Sequence, residues 1–327
     1  MPADGAVVLL GVRAVAEPRP VHSRPPLLRR VRWRLEFAGV WTGIQLARLL
    51  PTGVHQAVIH PITWTAWHLM ARRREIALDN LRHALGDEMS DAQLTAVARR
   101  SFRLLANTLP EVVKLRDALM GPGAKDHLYR HAPHLVAVFE KARALHEASR
   151  GCVFVTPHLG NWELMPYISA ALGIPMAVVV RPLDNPHIER LLYQSRRDTG
   201  QLFLPKKNSM LPLQHLLRQG KSLGLLPDQS TIKGIPAPFF GRPALTTPVP
   251  ALLAMRNERP LVVVACCWRD DGRFIGYVSD PILPAPDAGE KAEVLRLTAA
   301  MNREMETLIR RHPEQYFWMH RRWKTYD

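Results

Sequence analysis

The sequence predicts an α/β domain with a central, mostly parallel sheet, preceded by a helical segment that associates with a membrane. Three observations predict it. From about Asp126 onward, short apolar runs alternate with stretches of helical periodicity. One run, Cys152 to Val155, ends at Thr156-Pro157 and passes through His158 into a helix-like stretch. Upstream of Leu115 the patterns are helical, and tryptophan and arginine concentrate together.

Taken in order, residues 1–30 read as a disordered, basic, proline-rich tail, with Pro18, Pro20, Pro25 and Pro26 and no basic leader or cleavage site of a secretory signal. Residues 31–115 form the second unit. Leu35 to Leu50 is apolar but carries Glu36, Gln45 and Arg48, and the next stretch holds Pro51 and Pro61. Neither is a clean span of roughly 20 apolar residues. Trp33, Phe37, Trp41, Trp64 and Trp67, flanked by Arg29, Arg30, Arg32, Arg34 and Arg72 to Arg74, suit a shallow anchor on an anionic surface. Ile76, Leu78, Leu81 and Leu85 mark one helix, and Ser90-Asp91 caps another. Residues 116–327 form the third unit. Its expected strands are 151–156, 175–180, 222–226, 261–268 and 274–279. Its expected helices are 162–172, 186–199, 210–218, 249–257 and 291–311.

The chain has 327 residues, 47% of them hydrophobic, a net charge of +15 and a pI near 10.3. The surplus points to an acidic partner. Nucleic acid is not expected, because no basic-aromatic RNA signature, zinc-finger spacing or basic-zipper heptad occurs. Cys152, Cys266 and Cys267 lie in apolar runs without a paired framework, as buried thiols in a reducing compartment do. No Walker lysine loop or G-x-G-x-x-G is present, so no nucleotide cofactor is expected.

The chemistry centres on His158. A histidine just past a buried strand, with Glu163 five residues on, suits a general base with an orienting carboxylate. The spacing is weak by itself: 14 histidines and 29 acidic residues supply about one such pair by chance. The second pair, His83 and Glu88, sits in a polar helical region and reads as solvated surface. Gly220-Lys221-Ser222-Leu223-Gly224 spells a serine-hydrolase elbow, but here the strand follows the serine, reversing the required order. His127, His131 and His134 lack a completing ligand and read as a solvated loop or strand edge rather than a metal site. Arg181 and Asp228 also follow expected strands, so one sheet edge gathers them with His158.

Thr-Pro-His-Leu-Gly-Asn-Trp-Glu at 156–163, Arg-Pro-Leu-Asp-Asn-Pro at 181–186, Pro-Asp-Gln at 227–229, Pro-Phe-Phe-Gly at 238–241 with Thr246-Thr247, and Pro-Glu-Gln-Tyr-Phe-Trp-Met-His-Arg-Arg-Trp-Lys-Thr at 313–325 together resemble the bacterial lipid A biosynthesis acyltransferases, the lauroyl/myristoyl family. The resemblance covers about residues 30–327. It implies a glycerolipid-acyltransferase-like α/β sandwich, an acyl carrier protein thioester as donor, an anionic glycolipid acceptor, and a place at the cytoplasmic face of the bacterial inner membrane. It requires no metal and no cofactor.

On that reading His158 takes the proton of the acceptor hydroxyl, and Glu163 holds the other ring nitrogen. Amides near Gly160 and Asn161 are oxyanion donors, and Arg181 serves the oxyanion or an acceptor phosphate. Asp228 orients Arg181 or an acceptor hydroxyl. Trp162, Leu164 and Phe240 wall an acyl groove, and Thr247 stands with the substrate-binding residues. The cluster His320, Arg321, Arg322 and Lys324 either meets the acidic partner or ends a solvated helix. Rival functions are acylation of another glycolipid such as phosphatidylinositol mannoside, a thioesterase or lipase, and a non-catalytic membrane-associated binder.

Overall fold

Residues 8, 9, 12, 13, 25–285 and 289–324 are described by the computed structural model. The expected tail of residues 1–30 lies largely outside them; within it, β1 (Val8–Leu9) and β2 (Val12–Arg13) pair antiparallel. Helices α1 (Leu27–Leu49), α2 (Thr52–Leu69), α3 (Ala71–Leu85), α4 (Asp91–Met120), α5 (Ala124–His131) and α6 (Pro133–Ser149) precede the main sheet. Then β3 (Val153–Val155), α7 (Met165–Ala171), β4 (Met176–Val180), α8 (Pro186–Arg197), β5 (Leu202–Pro205), α9 (Met210–Arg218) and β6 (Ser222–Leu225) alternate. A hairpin of β7 (Ile235–Phe239) and β8 (Arg242–Thr246) leads to α10 (Val249–Arg256), β9 (Leu261–Trp268), β10 (Phe274–Val278) and α11 (Glu290–Arg311).

The main sheet runs in the order β10-β9-β3-β6-β4-β5. All its pairings are parallel except β10 on β9. This is the expected mostly parallel sheet, and the reason is visible in β9, whose eight residues are all buried. Val263, Ala265 and Cys267 pack into the core formed with α3, α4, α9 and α11. Val262, Val264 and Cys266 pack into the opposite core under α4, α6 and α7. A strand covered on both faces must be a continuous apolar run.

Two strand features differ from expectation. β5, an edge strand, was not anticipated. The segment carrying Pro236, Pro238 and Pro243 pairs as a β7–β8 ribbon, where prolines are tolerated because no further strand needs their missing N–H.

Helix α4 begins with a capping box between Ser90 and Gln93, as the Ser90-Asp91 signal predicts. It continues through Pro110 to Met120, so the expected division between residues 115 and 116 falls inside a helix.

No helix among the described residues is long and apolar enough to cross a membrane. Helix α1 nevertheless exposes Leu27, Leu28, Leu35 and Trp41, and α2 exposes Ile62 and Trp64. Two of the expected interface tryptophans instead face inward. Trp33 is buried where α1 meets α8, and Trp67 stacks edge-on against Phe102 at 5.3 Å.

Candidate active site

The parallel strands end on one edge, and β3, β4 and β6 deliver His158, Arg181 and Asp228 there. After β3 the chain turns sharply. Gly160 adopts φ +61°, and a Cβ at this position would lie 2.1 Å from the carbonyl oxygen of Cys266. Only glycine permits so close a crossing of two backbones. The turn is sewn down on both sides. Asn161 N–H donates to Cys266 O at 2.7 Å, Gly160 N–H to Gln315 O at 3.1 Å, and Phe317 N–H to His158 O at 2.9 Å.

The imidazole of His158 keeps 18% side-chain exposure, whereas Asp228 keeps 2%. Asp228 grips the histidine twice: Oδ2 accepts from the backbone N–H at 2.8 Å, and Oδ1 lies 2.7 Å from Nδ1. An ionised carboxylate only accepts, so Nδ1 carries the proton and Nε2 presents its lone pair. Burial alone works against the imidazolium. The charge of Asp228, its hydrogen bond and the charge of Glu163 outweigh that effect and raise the His158 pKa. Burial likewise works against the Asp228 carboxylate, but the charge and hydrogen bonds of His158, with Arg322 beyond, hold its pKa low.

Asp228, not Glu163, is therefore the carboxylate on the ring nitrogen. The cause is local. Residues 159–161 are pinned against Cys266 and Gln315, and the chain then enters a 3₁₀ turn at Trp162–Leu164 rather than a regular first turn of α-helix. This brings the Trp162 ring edge-on to His158 at 5.1 Å and leaves Glu163 acting on it through charge. Asp228 reaches the ring from the adjacent strand instead.

Other expectations are corrected by burial. Asn161 is fully buried, and its side-chain amide donates to Thr108 O and to Glu111, both at 3.2 Å. It anchors α4 and is closed to substrate. Glu111 also accepts from Trp268 Nε1 at 2.5 Å, yet burial pushes its pKa up to about 7. The Gly160 and Asn161 amides already donate to protein carbonyls, so they are spent as oxyanion donors.

Phe240 and Leu164 belong to the two cores, and Phe240 stacks edge-on with Phe239 at 4.9 Å rather than lining a groove. Thr247 Oγ1 accepts from Val249 N–H at 3.4 Å at the start of α10. Arg181 is exposed, with no ion-pair partner among the described residues. The cationic cluster divides: Arg321 and Lys324 are exposed, His320 is half-buried, and Arg322 is 2% exposed.

The three decoys resolve. Ser222 is fully buried, donating toward His146 Nδ1 at 2.8 Å or accepting from it, and accepting from Cys152 N–H at 2.9 Å, so it is sealed from substrate. His127 and His131 stack at 4.4 Å along α5, and His134 starts α6, so they occupy helices rather than a loop or strand edge. His83 is half-buried with its ring edge-on to Trp323, not solvated. All three cysteines are buried and free.

Sequence reasoning missed Gln229, Tyr316 and Arg322 as neighbours of the site. Gln229 Nε2 lies 3.4 Å from His158 Nε2. Tyr316 is buried and bridges Leu159, and burial with the charge of Asp228 pushes its hydroxyl pKa up. Only their place in the motifs at 227–229 and 313–325 signalled them.

Beside the histidine an apolar crevice runs between the sheet and helices α6 and α7. Its atom-free space, mouth included, is about 580 Å³. Phe154, Met176 and Val178 form its floor, Phe139 and Met165 its roof, and Trp162 is shared with His158. Gly224, level with Phe154 and Val178 in the sheet, leaves the floor open: a Cβ there would lie 3.0 Å from Met176 Cε.

Fold and site together define an α/β enzyme with a carboxylate-oriented histidine at the carboxyl edge of its sheet and an apolar crevice alongside. The family described as bacterial lipid A biosynthesis acyltransferase matches residues 23–325. A lipid A biosynthesis acyltransferase of Haemophilus influenzae is 23% identical over 290 residues, 87% of each chain. The lipid A biosynthesis lauroyltransferase of Escherichia coli is 30% identical over 190 residues, covering 57% of this chain and 60% of its own. A phosphatidylinositol mannoside acyltransferase of Mycolicibacterium smegmatis is 27% identical over 131 residues, covering 38% and 43%. The chain belongs to the bacterial lipid A biosynthesis acyltransferase family and is an acyltransferase.

Proposed function

We propose that the protein moves a fatty acyl group from an acyl carrier protein thioester to a hydroxyl of a lipid A precursor, in one direct transfer. The observation that carries the mechanism is the double grip of Asp228 on His158, which leaves Nε2 unprotonated, with the Gln229 amide 3.4 Å away. Nε2 removes the proton as the acceptor oxygen attacks the thioester carbonyl. The C–O bond forms, the C–S bond breaks, and the imidazolium returns its proton to the departing thiolate. Asp228 fixes the tautomer and, with Glu163, stabilises the imidazolium.

The Gln229 amide, the polar donor nearest Nε2, meets the developing oxyanion in place of the spent backbone amides. The crevice takes the acyl chain, with Trp162 at its mouth. Arg181, exposed at the same sheet edge, meets an acceptor phosphate. The arginines of α1 and the outward Leu35 and Trp41 rest on the anionic cytoplasmic face of the inner membrane. The +15 charge suits both that surface and an acidic carrier protein.

The test is mass spectrometry of lipids from a deletion strain carrying wild type or His158→Ala. One acyl group missing from lipid A, restored by wild type only, supports the reading. A mass change confined to phosphatidylinositol mannosides favours that acceptor class, and an unchanged profile refutes both.

A further inference from the structure

A third carboxylate, Glu111, braces the catalytic turn from helix α4. Its Oε2 accepts from two donors, Asn161 Nδ2 at 3.2 Å and Trp268 Nε1 at 2.5 Å. Asn161 lies three residues past His158 and is fully buried, and its Nδ2 also donates to Thr108 O at 3.2 Å. Trp268 ends β9, and its backbone pairs both ways with the Gln315 side chain, at 2.9 and 2.8 Å. Gln315 O in turn accepts from Gly160 N–H at 3.1 Å. Glu111 thus reaches the turn by two routes, one through Asn161 and one through Trp268 and Gln315. Both meet at a single oxygen atom.

What this brace holds is the start of the 3₁₀ turn. Asn161 N–H is bonded to Cys266 O, and the next residue, Trp162, sets its ring edge-on to His158 at 5.1 Å. A shift of Asn161 therefore moves the wall of the imidazole and the lining of the crevice together. Packing does not call for an acid here. Glutamine has nearly the same shape and an accepting oxygen, and it would carry no charge into the protein. Lys114 follows one turn along α4, on the same face, and its Nζ is buried with no hydrogen-bond partner among the described residues. A cation in that place favours the ionised form of Glu111.

We propose that Glu111 is a positioning residue for acyl transfer: as a carboxylate it draws Asn161 and Trp268 onto one oxygen and holds the His158–Trp162 turn in its working geometry, and on protonation that hold slackens. The role rests on His158 acting as the base. Hydrogen bonds to a charged acceptor are roughly twice as strong as neutral ones, so the protonated acid has the weaker grip. Burial raises the Glu111 pKa to about 7, against the hydrogen bonds of Trp268 and Asn161 and the charge of Lys114. The titratable groups around it are Lys114 on its own helix and Cys266 on β9, a thiol kept protonated by burial, by Cys267 and by Glu111. His55 on α2 is held neutral by burial and by the charge of Lys114. Glu163 and Glu314 lie on the 3₁₀ turns at Trp162–Leu164 and Pro313–Gln315, both packed against α4.

In the folded protein Glu111 keeps its proton up to about pH 7, in the unfolded chain only to about 4.5. Over that interval the folded state binds more protons, so wild type loses stability as pH rises through it. Activity runs the opposite way, since the ionised form is the one that fixes the turn.

The experiment is kcat and KM for the full-length enzyme with a lauroyl carrier-protein thioester and a lipid A precursor, across about pH 5 to 8. The ratio of wild-type to Glu111→Gln kcat is expected to rise from about one at the acid end to about tenfold at the alkaline end, with KM held. His158 titrates in both proteins and cancels in that ratio. In a Lys114→Met background the midpoint of the rise moves to higher pH, because the carboxylate has lost its neighbouring cation. Difference infrared spectroscopy reads the acid directly: one carboxyl C=O band fades through about pH 7 in wild type and is missing from Glu111→Gln.

Urea titration keeps a folding defect apart. Glu111→Gln should gain stability relative to wild type as pH rises, so its alkaline loss of kcat occurs as its relative stability grows. A kcat ratio that is the same at every pH overturns the proposal, because a merely structural loss does not follow the ionisation of Glu111. A ratio that grows toward acid overturns it too, as does an infrared band that does not titrate or a relative stability that falls toward alkaline pH. Activity surviving in His158→Ala would instead strike the base assignment beneath it.

Discussion

Replacing Asp228 with asparagine tests the arrangement most severely, because volume barely changes while hydrogen-bond polarity does. The carboxylate accepts from two donors at once, the backbone N–H of His158 at 2.8 Å and Nδ1–H at 2.7 Å. An amide offers one accepting oxygen. If that oxygen keeps the backbone N–H, its NH₂ group points at Nδ1 and forces the proton onto Nε2, the atom that must be bare. If it takes Nδ1–H instead, the NH₂ group opposes the backbone N–H at the head of the turn. In serine proteases the corresponding exchange costs about 10⁴ in kcat, or ~5.5 kcal/mol of transition-state stabilisation.

A loss of about 10³ to 10⁴ in kcat is therefore expected, with KM nearly unchanged. Acyl transfer to a lipid A precursor, followed by mass spectrometry beside a thermal melt, reads it. Removing the carboxylate charge also lowers the His158 pKa, so the residual activity persists to lower pH than in wild type. Glu163→Gln removes a charge that touches the ring through space only, and should cost tenfold or less. If Asp228→Asn keeps more than a tenth of the activity while Glu163→Gln loses more than it does, the ring partner is misassigned.

The same pair sets a pH window for stability. The His158 pKa is raised on folding, so its contribution is full below the unfolded value of about 6.5 and is lost as pH rises through the folded one. The Asp228 pKa is lowered, so its contribution is present above about 3.9 and is lost as pH falls through the folded one. Chemical denaturation across pH should show both edges in wild type, and neither from this pair in the His158→Ala/Asp228→Asn double variant.

Ser222→Ala should lower stability by about 1–3 kcal/mol, since Cys152 N–H loses its buried acceptor, while kcat stays within twofold. Urea titration and turnover measured together check this, and a large loss of turnover would revive the serine-hydrolase reading. Gly224→Val fills the floor of the crevice beside Met176 and should depress activity with long-chain donors far more than with short ones. Equal loss across chain lengths would remove the acyl chain from that crevice. Leu35→Glu/Trp41→Glu on α1 should weaken flotation with anionic vesicles by at least tenfold, and unchanged flotation would refute the contact.

The parts of the fold that could be read from sequence are those whose burial leaves one solution. Strand β9 and helix α9 match expectation residue for residue, because the first is apolar throughout and the second carries a clear apolar face. The β7–β8 ribbon was illegible because three prolines read as loop until a partner strand is known to excuse them. His158 and Asp228 could both be placed at strand ends, but not joined to each other. They lie 70 residues apart, and Glu163 was the nearer carboxylate along the chain. Adjacency of parallel strands, which decides the matter, is a property of sheet order and not of local pattern. Arg322 shows the same limit: charge runs usually mean surface, and the hairpin carbonyl, Thr246 and the Phe239 ring turn this one inward.

The clamp formed by Gln315, Tyr316 and Phe317 on the His158 turn carries a consequence for how the protein is made. Those residues leave the ribosome more than 150 positions after the histidine, an interval on the order of ten to thirty seconds at ordinary elongation rates. Throughout it the strand β3 turn has no outer support, and the carboxylate of Asp228 has only part of its environment. On the proposed mechanism, catalytic competence arrives late in synthesis, after the sheet is complete, and a nascent chain stalled before residue 316 would carry His158 without its supported turn.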